Sequence, residues 1–408
     1  MAIAKFSSLT LTLVALCGLL VVHAGAQVTV PACAPKIVAN QLLATPAQRE
    51  AAGDAAQPPL TDTANGFAWP DTPLGVVKTA DGGYAFFGSD GAFHSRQQWR
   101  GRWYGNYKYG SITRTLGTLE NPLGSQPPID VTLLPNPDGA VNRFYSSYDY
   151  IGGGPVYKVP DGMAGAGKLL LVYHAEIPTV TTQSFYSVLG LASSTDEGKS
   201  WTDLGEIIRI NQAYRTDVDG FDIGDSSLVI SPDGKYFYLY FPDWRANGTT
   251  HWGNTITSIS VARAPVDAVL HAAFGAQPHA VAFEKYYDGW HFEQGLGGYS
   301  KDLDTQTPYG GNLQVAYNAG LHAYQLLINA GVVVYYTDSL DGMNWSPLSL
   351  LYDFRNEKDQ PSVYVAFVGT GDNPSILGKQ FYIYYTSYPN NGDGWNGASV
   401  KRFTVTCQ

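Results

Sequence analysis

The sequence contains few charged residues, few cysteines and no strongly basic segment. Charged residues make up 15% of the 408 positions, there are 3 cysteines, and the formal net charge is −10. Nucleic-acid phosphates attract basic surfaces, so this balance argues against a nucleic-acid partner. No lysine- or arginine-rich run suggests an anionic membrane surface, and no run after the N-terminal segment is long and apolar enough to span a bilayer. We therefore expect neither a nucleic-acid partner nor a membrane partner.

Aromatic residues and turn formers are abundant instead. The chain has 45 glycines, 24 prolines and 28 tyrosines, and 13% of its residues are aromatic. Helical proteins usually carry more Glu, Lys and Leu, so this composition favours β-structure. From Phe67 onward, short apolar runs alternate with Gly, Pro, Asp and Asn turns, and Ala264 to Phe274 is the best helix candidate.

The N-terminal segment predicts export. Lys5 is followed by an apolar run from Leu9 to Val22 and by the cleavage signal Ala24-Gly25-Ala26. We assign residues 1–26 to a signal peptide and expect a secreted or periplasmic protein. Residues 27–64 are rich in Ala, Pro and Gln and show no strand alternation, so they are predicted to be an extension before a β-propeller domain at 65–408.

Two cysteines remain after cleavage at that signal, namely Cys33 and Cys407. An even number of cysteines in an exported protein suggests a disulfide bond. A bridge between these positions would fasten the two ends of the mature chain, as a closed ring of repeats requires. Two unrelated thiols are the alternative.

The β-like runs group into five units, each pairing an apolar strand with a more aromatic strand across a Gly-containing turn. The units are LGVVKTADGGYAFFGSDG (74–91), GGPVYKVPDG with GKLLLVYHAE (153–176), GDSSLVISPDGKYFYLYFPDW (224–244), GNLQVAYNAGLHAYQLLIN (311–329) and PSVYVAFVGTGDN with KQFYIYYTSY (361–388). One such unit cannot bury both of its faces alone, so units of this kind stack around a channel. The sequence therefore predicts an all-β, five-bladed β-propeller, with a β-sandwich as the alternative.

Two short motifs, SSTDEGKSW (193–201) and SLDGMNW (339–345), share a Ser, Asp, Gly and Trp pattern. They resemble the Asp boxes of sialidase-like propellers. In such a turn the Asp carboxylate can accept backbone N–H groups, Gly permits a positive φ, and Trp packs back on the hairpin. The resemblance implies hairpins between outer strands, away from the catalytic face. Asp196 and Asp341 are therefore predicted to be structural rather than catalytic.

A second resemblance concerns chemistry. The segments WPDTPLG (69–75) and GDSSLVISPDGKYFYLYF (224–241) resemble parts of the five-bladed glycoside hydrolases of families 43, 32 and their relatives. The resemblance implies that Asp71 is a general base and that Asp225 points into the channel as an acid that orients and tunes its neighbours. The chain departs from the family pattern because it has no clear Glu-Gly-Pro segment for the proton donor. Residues 151–176 also resemble the opening strands of sialidases, but Gly154 replaces the arginine expected before Pro155.

Glycoside cleavage needs two carboxyl groups, one to protonate the leaving oxygen and one to act as base or nucleophile. A propeller channel can supply them from the starts of its inner strands. We predict Asp71 as base, Asp225 as orienting acid and Glu293 as proton donor, with Glu284 as the second choice for the donor. Further candidates are Asp149, Glu176 and Asp222. A turn cap or a solvated loop acid is the alternative for each of them.

Sugar recognition needs flat apolar faces with polar rims. The predicted substrate-binding residues are aromatic or histidine side chains near the candidate acids, namely Trp69, Trp244, Trp252, Trp290 and His291. In RTDVDGFDIGD (215–225), Asp217, Asp219 and Asp222 would be calcium ligands, but the full loop pattern ending in Glu is missing. We therefore expect no cofactor, with calcium as the alternative.

These observations together predict an exported, monomeric glycoside hydrolase that acts on a poly- or oligosaccharide through carboxylates facing its channel. Two alternatives stay open. One is a noncatalytic propeller that binds glycans or another partner, and the other is a sialidase-like exo-glycosidase.

Overall fold

A computed structural model describes residues 33–48, 72–89, 97–99, 102–104, 112–124, 129–131, 133–136, 148, 150–178, 185–214, 223–243, 258–288, 291–303, 312–355, 359–389 and 398–407. The predicted signal peptide lies outside these ranges. Within them, no helix has the length and apolar character needed to cross a membrane.

The described strands form five sheets of four or more strands, which are numbered here as blades along the chain, and one two-stranded sheet. Blade 1 contains β2 (Gly75–Lys78), β3 (Tyr84–Ser89), β6 (Ile112–Gly117) and β7 (Ile129–Val131). Blade 2 contains β9 (Tyr150–Gly152), β10 (Val156–Lys158), β11 (Leu169–Pro178), β12 (Phe185–Ser194) and β13 (Trp201–Arg209), with β8 (Leu133–Leu134) parallel to β13. A separate hairpin consists of β4 (Gln97–Trp99) and β5 (Arg102–Tyr104).

The remaining blades repeat this arrangement. Blade 3 contains β14 (Ser227–Ile230), β15 (Tyr236–Asp243), β16 (Ser258–Pro265), β17 (Glu284–Asp288) and β18 (His291–Gln294). Blade 4 contains β19 (Leu313–Asn318), β20 (Ala323–Ala330), β21 (Val333–Ser339) and β22 (Ser349–Asp353), with β24 (Ile376–Leu377) parallel to β19. Blade 5 contains β23 (Asp359–Gly369), β25 (Gln380–Pro389), β26 (Ser399–Cys407) and β1 (Pro35–Ala44).

Each of the five predicted sequence units supplies an inner strand of one blade and the strand paired with it. The short helix predicted near Ala264 is also present, as α1 (Val266–Phe274). It buries Val269 and Leu270 on one face, in the core that blades 1 to 3 share.

The blades close into a ring through shared cores. Their first strands contact one another, β2 with β10, β14 with β19, and β19 with β23, so these strands lie innermost. Apolar clusters join blades 1 to 3, blades 3 and 4, and blades 4 and 5. A further cluster, with Phe86 of β3 against Tyr384 of β25, joins blade 5 to blade 1. The fold is therefore the predicted five-bladed propeller, and two facing sheets of a sandwich are excluded.

The start of the predicted N-terminal extension belongs to the ring. Strand β1 pairs antiparallel with β26 along its length, from Pro35 opposite Cys407 to Ala44 opposite Val400. The sequence shows no strand alternation over β1 because Val38 and Leu42 are exposed, which hides the usual alternation of buried apolar residues. The predicted disulfide bond between Cys33 and Cys407 is confirmed, with its Cα atoms 4.9 Å apart.

The motif at 193–201 forms the turn between β12 and β13. The Asp196 carboxylate accepts the backbone N–H groups of Lys199 and Ser200 and the hydroxyl of Ser194. Burial raises the pKa of this carboxyl, but the donors from Ser200, Ser194 and Lys199 outweigh burial and hold the pKa below its ordinary value. Gly198 has φ 79°, and an added Cβ would lie 2.4 Å from the Phe87 ring of blade 1.

The motif at 339–345 has the same construction between β21 and β22. Asp341 accepts the N–H groups of Met343 and Asn344, and Gly342 has φ 76°. Both turns thus join the third and fourth strands of a blade, as the sequence predicts for structural aspartates.

Replacing Asp196 by Ala is expected to lower the free energy of unfolding by about 2 kcal/mol, because several donors of the turn lose their acceptor. The exposed Asp161, in another turn of blade 2, provides a matched control, and Asp161→Ala should change stability by less than about 0.5 kcal/mol. Urea denaturation measures both values. Equal stability of the two variants would contradict the structural role of Asp196.

Candidate active site at the channel entrance

Hydrogen bonds between neighbouring blades mark the end of the channel at which the first strands begin. Ser89 Oγ of blade 1 accepts the Gly153 N–H of blade 2 at 2.6 Å. Ser187 Oγ of blade 2 accepts the Ile223 N–H of blade 3 at 2.7 Å. We call this end the channel entrance and define it by Ser89, Gly153, Ser187, Ile223, Asp225, Asn312 and Tyr364.

Asp225 lies at the entrance, two residues before the inner strand of blade 3. Its backbone has φ 53°, a left-handed conformation that is uncommon for a residue other than glycine. Asn312 of blade 4 donates a side-chain N–H to Asp225 Oδ2. Because this donor is a neutral amide, the carboxylate is oriented without being paired to a cation by that contact.

Glu176, a lower-ranked candidate in the sequence, also lies at this end of the channel. It is paired in register with Ser187 of β12 and with Tyr150 of β9. Directly paired residues of antiparallel strands project to the same face of a sheet. Since Ser187 Oγ binds the Ile223 N–H, Glu176 lies on the face of blade 2 that is turned towards blade 3 and the segment that carries Asp225.

The surroundings of Glu176 are partly buried and contain a second titratable group. His174 Nε2 lies 3.8 Å from Glu176 Oε1, and the Glu176 side chain is 23% exposed. The His174 ring packs edge-on against Tyr150, with the ring centres 5.9 Å apart. Glu176 of blade 2 and Asp225, which precedes the inner strand of blade 3, therefore belong to segments at the same end of neighbouring blades.

Glu293, Glu284 and His291 do not lie with Asp225, contrary to the prediction. They belong to β17 and β18, the two outermost strands of blade 3, and β15 and β16 separate these strands from β14. Glu293 Oε1 lies 3.1 Å from His291 Nε2, so these two side chains are neighbours of each other. The sequence analysis grouped the two glutamates with the channel-facing acids and His291 with the substrate-binding residues, but β17 and β18 pair with each other as the outer edge of blade 3.

The other candidates lie outside the part of the chain that the structure describes. They are Asp71, Asp149, Asp217, Asp219, Asp222, Trp69, Trp244, Trp252 and Trp290. The residue after Asp71 is described: Thr72 is buried, and an added Cβ on Gly152 would come within 2.8 Å of its Cγ2. Among the described residues, no group of three His, Cys, Asp or Glu side chains could hold a metal ion.

Sequence reasoning missed Asn312 and Tyr364. The Oδ1 atom of Asn312 accepts the backbone N–H of Tyr364 in blade 5 at 3.1 Å, so one amide connects blades 3, 4 and 5. A signal was present, because Gly311-Asn312 precedes β19 just as Gly224-Asp225 precedes β14. Aligning the glycines that precede the two inner strands pairs Asn312 with Asp225.

A buried lysine fastens the outer hairpin of blade 3 to blade 2. Lys285 is fully buried, and its Nζ donates to the carbonyl oxygens of Arg209 and Gly298 at 2.5 and 2.9 Å. Burial lowers the pKa of Lys285 to about 8, although the nearby Asp243 carboxylate opposes this change. The charged amine therefore destabilises the folded protein. As pH rises from about 8 towards the ordinary lysine value of 10.5, the amine of the folded protein loses its proton and the free energy of unfolding increases.

We expect the unfolding free energy of the wild type to rise by roughly 2 kcal/mol between pH 7 and pH 9.5 relative to that of a Lys285→Met variant. Taking the difference between the two proteins cancels the contribution to the unfolding free energy from groups that titrate equally in both. Urea denaturation at the two pH values, at constant ionic strength, measures this difference. Parallel pH dependence of the two proteins would show that Lys285 does not have the lowered pKa.

Comparisons with known proteins find similarity in three-dimensional structure. No protein-family model and no curated protein matches the chain. The solved structure of Zg3597, a family 117 glycoside hydrolase from the marine bacterium Zobellia galactanivorans, matches with 10% identity and a TM-score of 0.50, over 90% of each chain. The α-L-arabinofuranosidase Arb93A from Fusarium graminearum matches with 11% identity and a TM-score of 0.43, over 91% of this chain and 98% of that one. A thermostable family-43 glycoside hydrolase matches with 12% identity and a TM-score of 0.40, over 82% and 88%. At these identities the likeness concerns the fold.

Proposed function

We propose that this protein is a glycoside hydrolase whose active site lies at the channel entrance. The observation that carries the proposal is the location of Glu176 and Asp225 in segments at the same end of neighbouring blades. Glycosidic bond cleavage requires two carboxyl groups that flank one bond, and we assign Glu176 and Asp71 to these roles, with Asp225 as an acid that orients its neighbours. The structural likeness to Zg3597, itself a family 117 glycoside hydrolase, agrees with this chemistry.

We assign the roles by environment. Glu176 replaces Glu293 as the proposed proton donor, because it is partly buried and lies on the face towards blade 3. Asp225, held by Asn312, is the orienting acid. Asp71 is retained as the proposed base, since Thr72 beside it packs against Gly152 at the start of blade 2.

In the proposed reaction Glu176 transfers its proton to the glycosidic oxygen as the bond from that oxygen to the anomeric carbon breaks. Asp71 accepts a proton from the water whose oxygen forms the new bond to the anomeric carbon. One water molecule is consumed, and two sugar products with free hydroxyl groups are formed. The substrate is a poly- or oligosaccharide of the extracellular or periplasmic space, because the Cys33–Cys407 bond suits an oxidising compartment.

A panel of chromogenic glycosides and plant, algal and bacterial polysaccharides tests the proposal. The wild type should release chromophore or reducing sugar from at least one class, and Glu176→Gln should abolish that release. Release of sialic acid from sialosides in the same panel would support the sialidase-like alternative instead. Retention of a glycan without any release of sugar would contradict hydrolysis and support a noncatalytic glycan-binding propeller.

A further inference from the structure

Asn312 uses both ends of its side-chain amide at the channel entrance. Its Nδ2 donates to the Asp225 carboxylate, and its Oδ1 accepts the Tyr364 N–H at 3.1 Å. Its own carbonyl oxygen accepts the Asn329 N–H from the neighbouring strand β20 at 2.9 Å. A carboxylate at this position could not donate, and an aliphatic residue could do neither, whereas the amide satisfies the two neighbours with two separate atoms.

The two residues that Asn312 holds share an unusual backbone conformation. Asp225 has φ 53° and Tyr364 has φ 61°, and neither is a glycine. Left-handed conformations of such residues are strained and persist where the surrounding structure enforces them, which is common at functional sites. Tyr364 also lies at an irregularity in the pairing of β23 with β25, between Val363 and Ala366. Irregularities of this kind change the direction in which a side chain projects.

Asn312 is not needed to hold the blades together. Ser227 already bridges blades 3 and 4, since its Oγ donates to the Val315 carbonyl at 2.8 Å and accepts the Val315 N–H at 3.0 Å. The two blades also share a buried apolar cluster that contains Tyr240 and Leu326. The bond from Asn312 to a carboxylate therefore adds orientation at a junction whose packing is secured by other groups.

We propose that Asn312 is a positioning residue of the active site. Its amide fixes the carboxylate of Asp225 and the strained backbone at Tyr364 in the geometry that turnover requires. This inference rests on the proposed glycoside hydrolase function. Displacing a catalytic group by about 1 Å can cost on the order of 100-fold in rate, so the loss of this bond should be visible in kcat.

Two variants distinguish the contributions of the two hydrogen bonds that the amide makes. Asn312→Asp keeps an acceptor for the Tyr364 N–H but loses the donor to Asp225, whereas Asn312→Ala loses both. The control is Asn318→Asp, the same change at the other end of strand β19, which Asn312 immediately precedes. Asn318 is fully buried and bonds Gln325 and the Gly378 carbonyl, so this control reports the cost of altering a buried asparagine at the far end of the strand.

On a glycan that the wild type cleaves, Asn312→Asp should lower kcat roughly 30-fold with KM changed less than about threefold. The activity of Asn312→Asp relative to the wild type should recover as pH is lowered, because a protonated carboxyl group can donate to Asp225 again. Asn318→Asp should lower the unfolding temperature and leave kcat within about twofold of the wild type. Wild-type kcat in Asn312→Asp, or equal losses of kcat in Asn312→Asp and Asn318→Asp, would overturn the inference.

Amide hydrogen exchange at Tyr364 tests the contact without any substrate. Exchange should accelerate at least about tenfold in Asn312→Ala and stay near the wild-type rate in Asn312→Asp. Unchanged exchange in Asn312→Ala would overturn the inference even if the protein hydrolyses glycans. Absence of glycan hydrolysis by the wild type, with the expected exchange pattern intact, would instead contradict the proposed function and leave the Asn312 contacts established.

Discussion

Replacing Asp225 by Asn is expected to lower kcat about 1000-fold on a glycan that the wild type cleaves. The change removes a negative charge and preserves the shape of the side chain, and the Asn312 amide can still donate to the new side-chain oxygen. The unfolding temperature should therefore stay within about 2 °C of the wild-type value. Steady-state kinetics and thermal unfolding of the same preparation measure the two quantities.

Asp233 provides the matched control, because it follows the other end of the same inner strand β14. It is exposed in the turn to β15, where hydrogen bonds from Ser231 and then Lys235 lower its pKa to about 2. Asp233→Asn should leave kcat unchanged. Retained turnover in Asp225→Asn, or an equal loss in Asp233→Asn, would remove Asp225 from the proposed active site.

Loss of the disulfide bond is expected to produce the largest change in stability. In a Cys33→Ser/Cys407→Ser double variant, the free energy of unfolding should fall by about 4 kcal/mol, because a cross-link that closes so long a loop restricts the unfolded chain strongly. The bonded cysteines are separated by 374 residues, and the bond lies next to the pairing of β1 with β26 that completes blade 5.

Urea denaturation of the double variant and of reduced wild type should give the same loss of stability. The value of kcat measured well below the unfolding temperature should stay unchanged, since the cross-link joins outer strands rather than the channel entrance. A loss smaller than about 1 kcal/mol would show that the β1–β26 pairing alone secures the ring.

The fold could be predicted because its signals are local. In blades 1, 3 and 4 the first two strands are joined by a short turn, and alternation, glycine and aromatic residues reveal such hairpins in the sequence. Strand β1 escaped prediction because it pairs with the opposite end of the chain, and its exposed Val38 and Leu42 give no inward-facing pattern. Its partner β26 lies more than 350 residues away, a contact that no local pattern encodes.

The candidate site could be predicted only in part, for a related reason. The position of Asp225 two residues before an inner strand could be predicted because it is a local property, whereas its proposed role stays a prediction. Glu293 was misplaced because β17 meets β16 through just two residue pairs, Lys285 with Ala262 and Glu284 with Arg263, and buried Lys285 then ties the hairpin to blade 2. Asn312 was missed because a neutral amide matches no catalytic pattern until its two partners are seen in space.

The direct test of the account is a double-mutant cycle between Glu176 and Asp225. Catalytic groups that act as one unit lose their effects non-additively. Glu176→Gln and Asp225→Asn should each lower kcat about 1000-fold, and the double variant should lose no more than about tenfold beyond either single variant. Losses that multiply in the double variant, or full turnover in either single variant, would contradict a shared active site at the channel entrance.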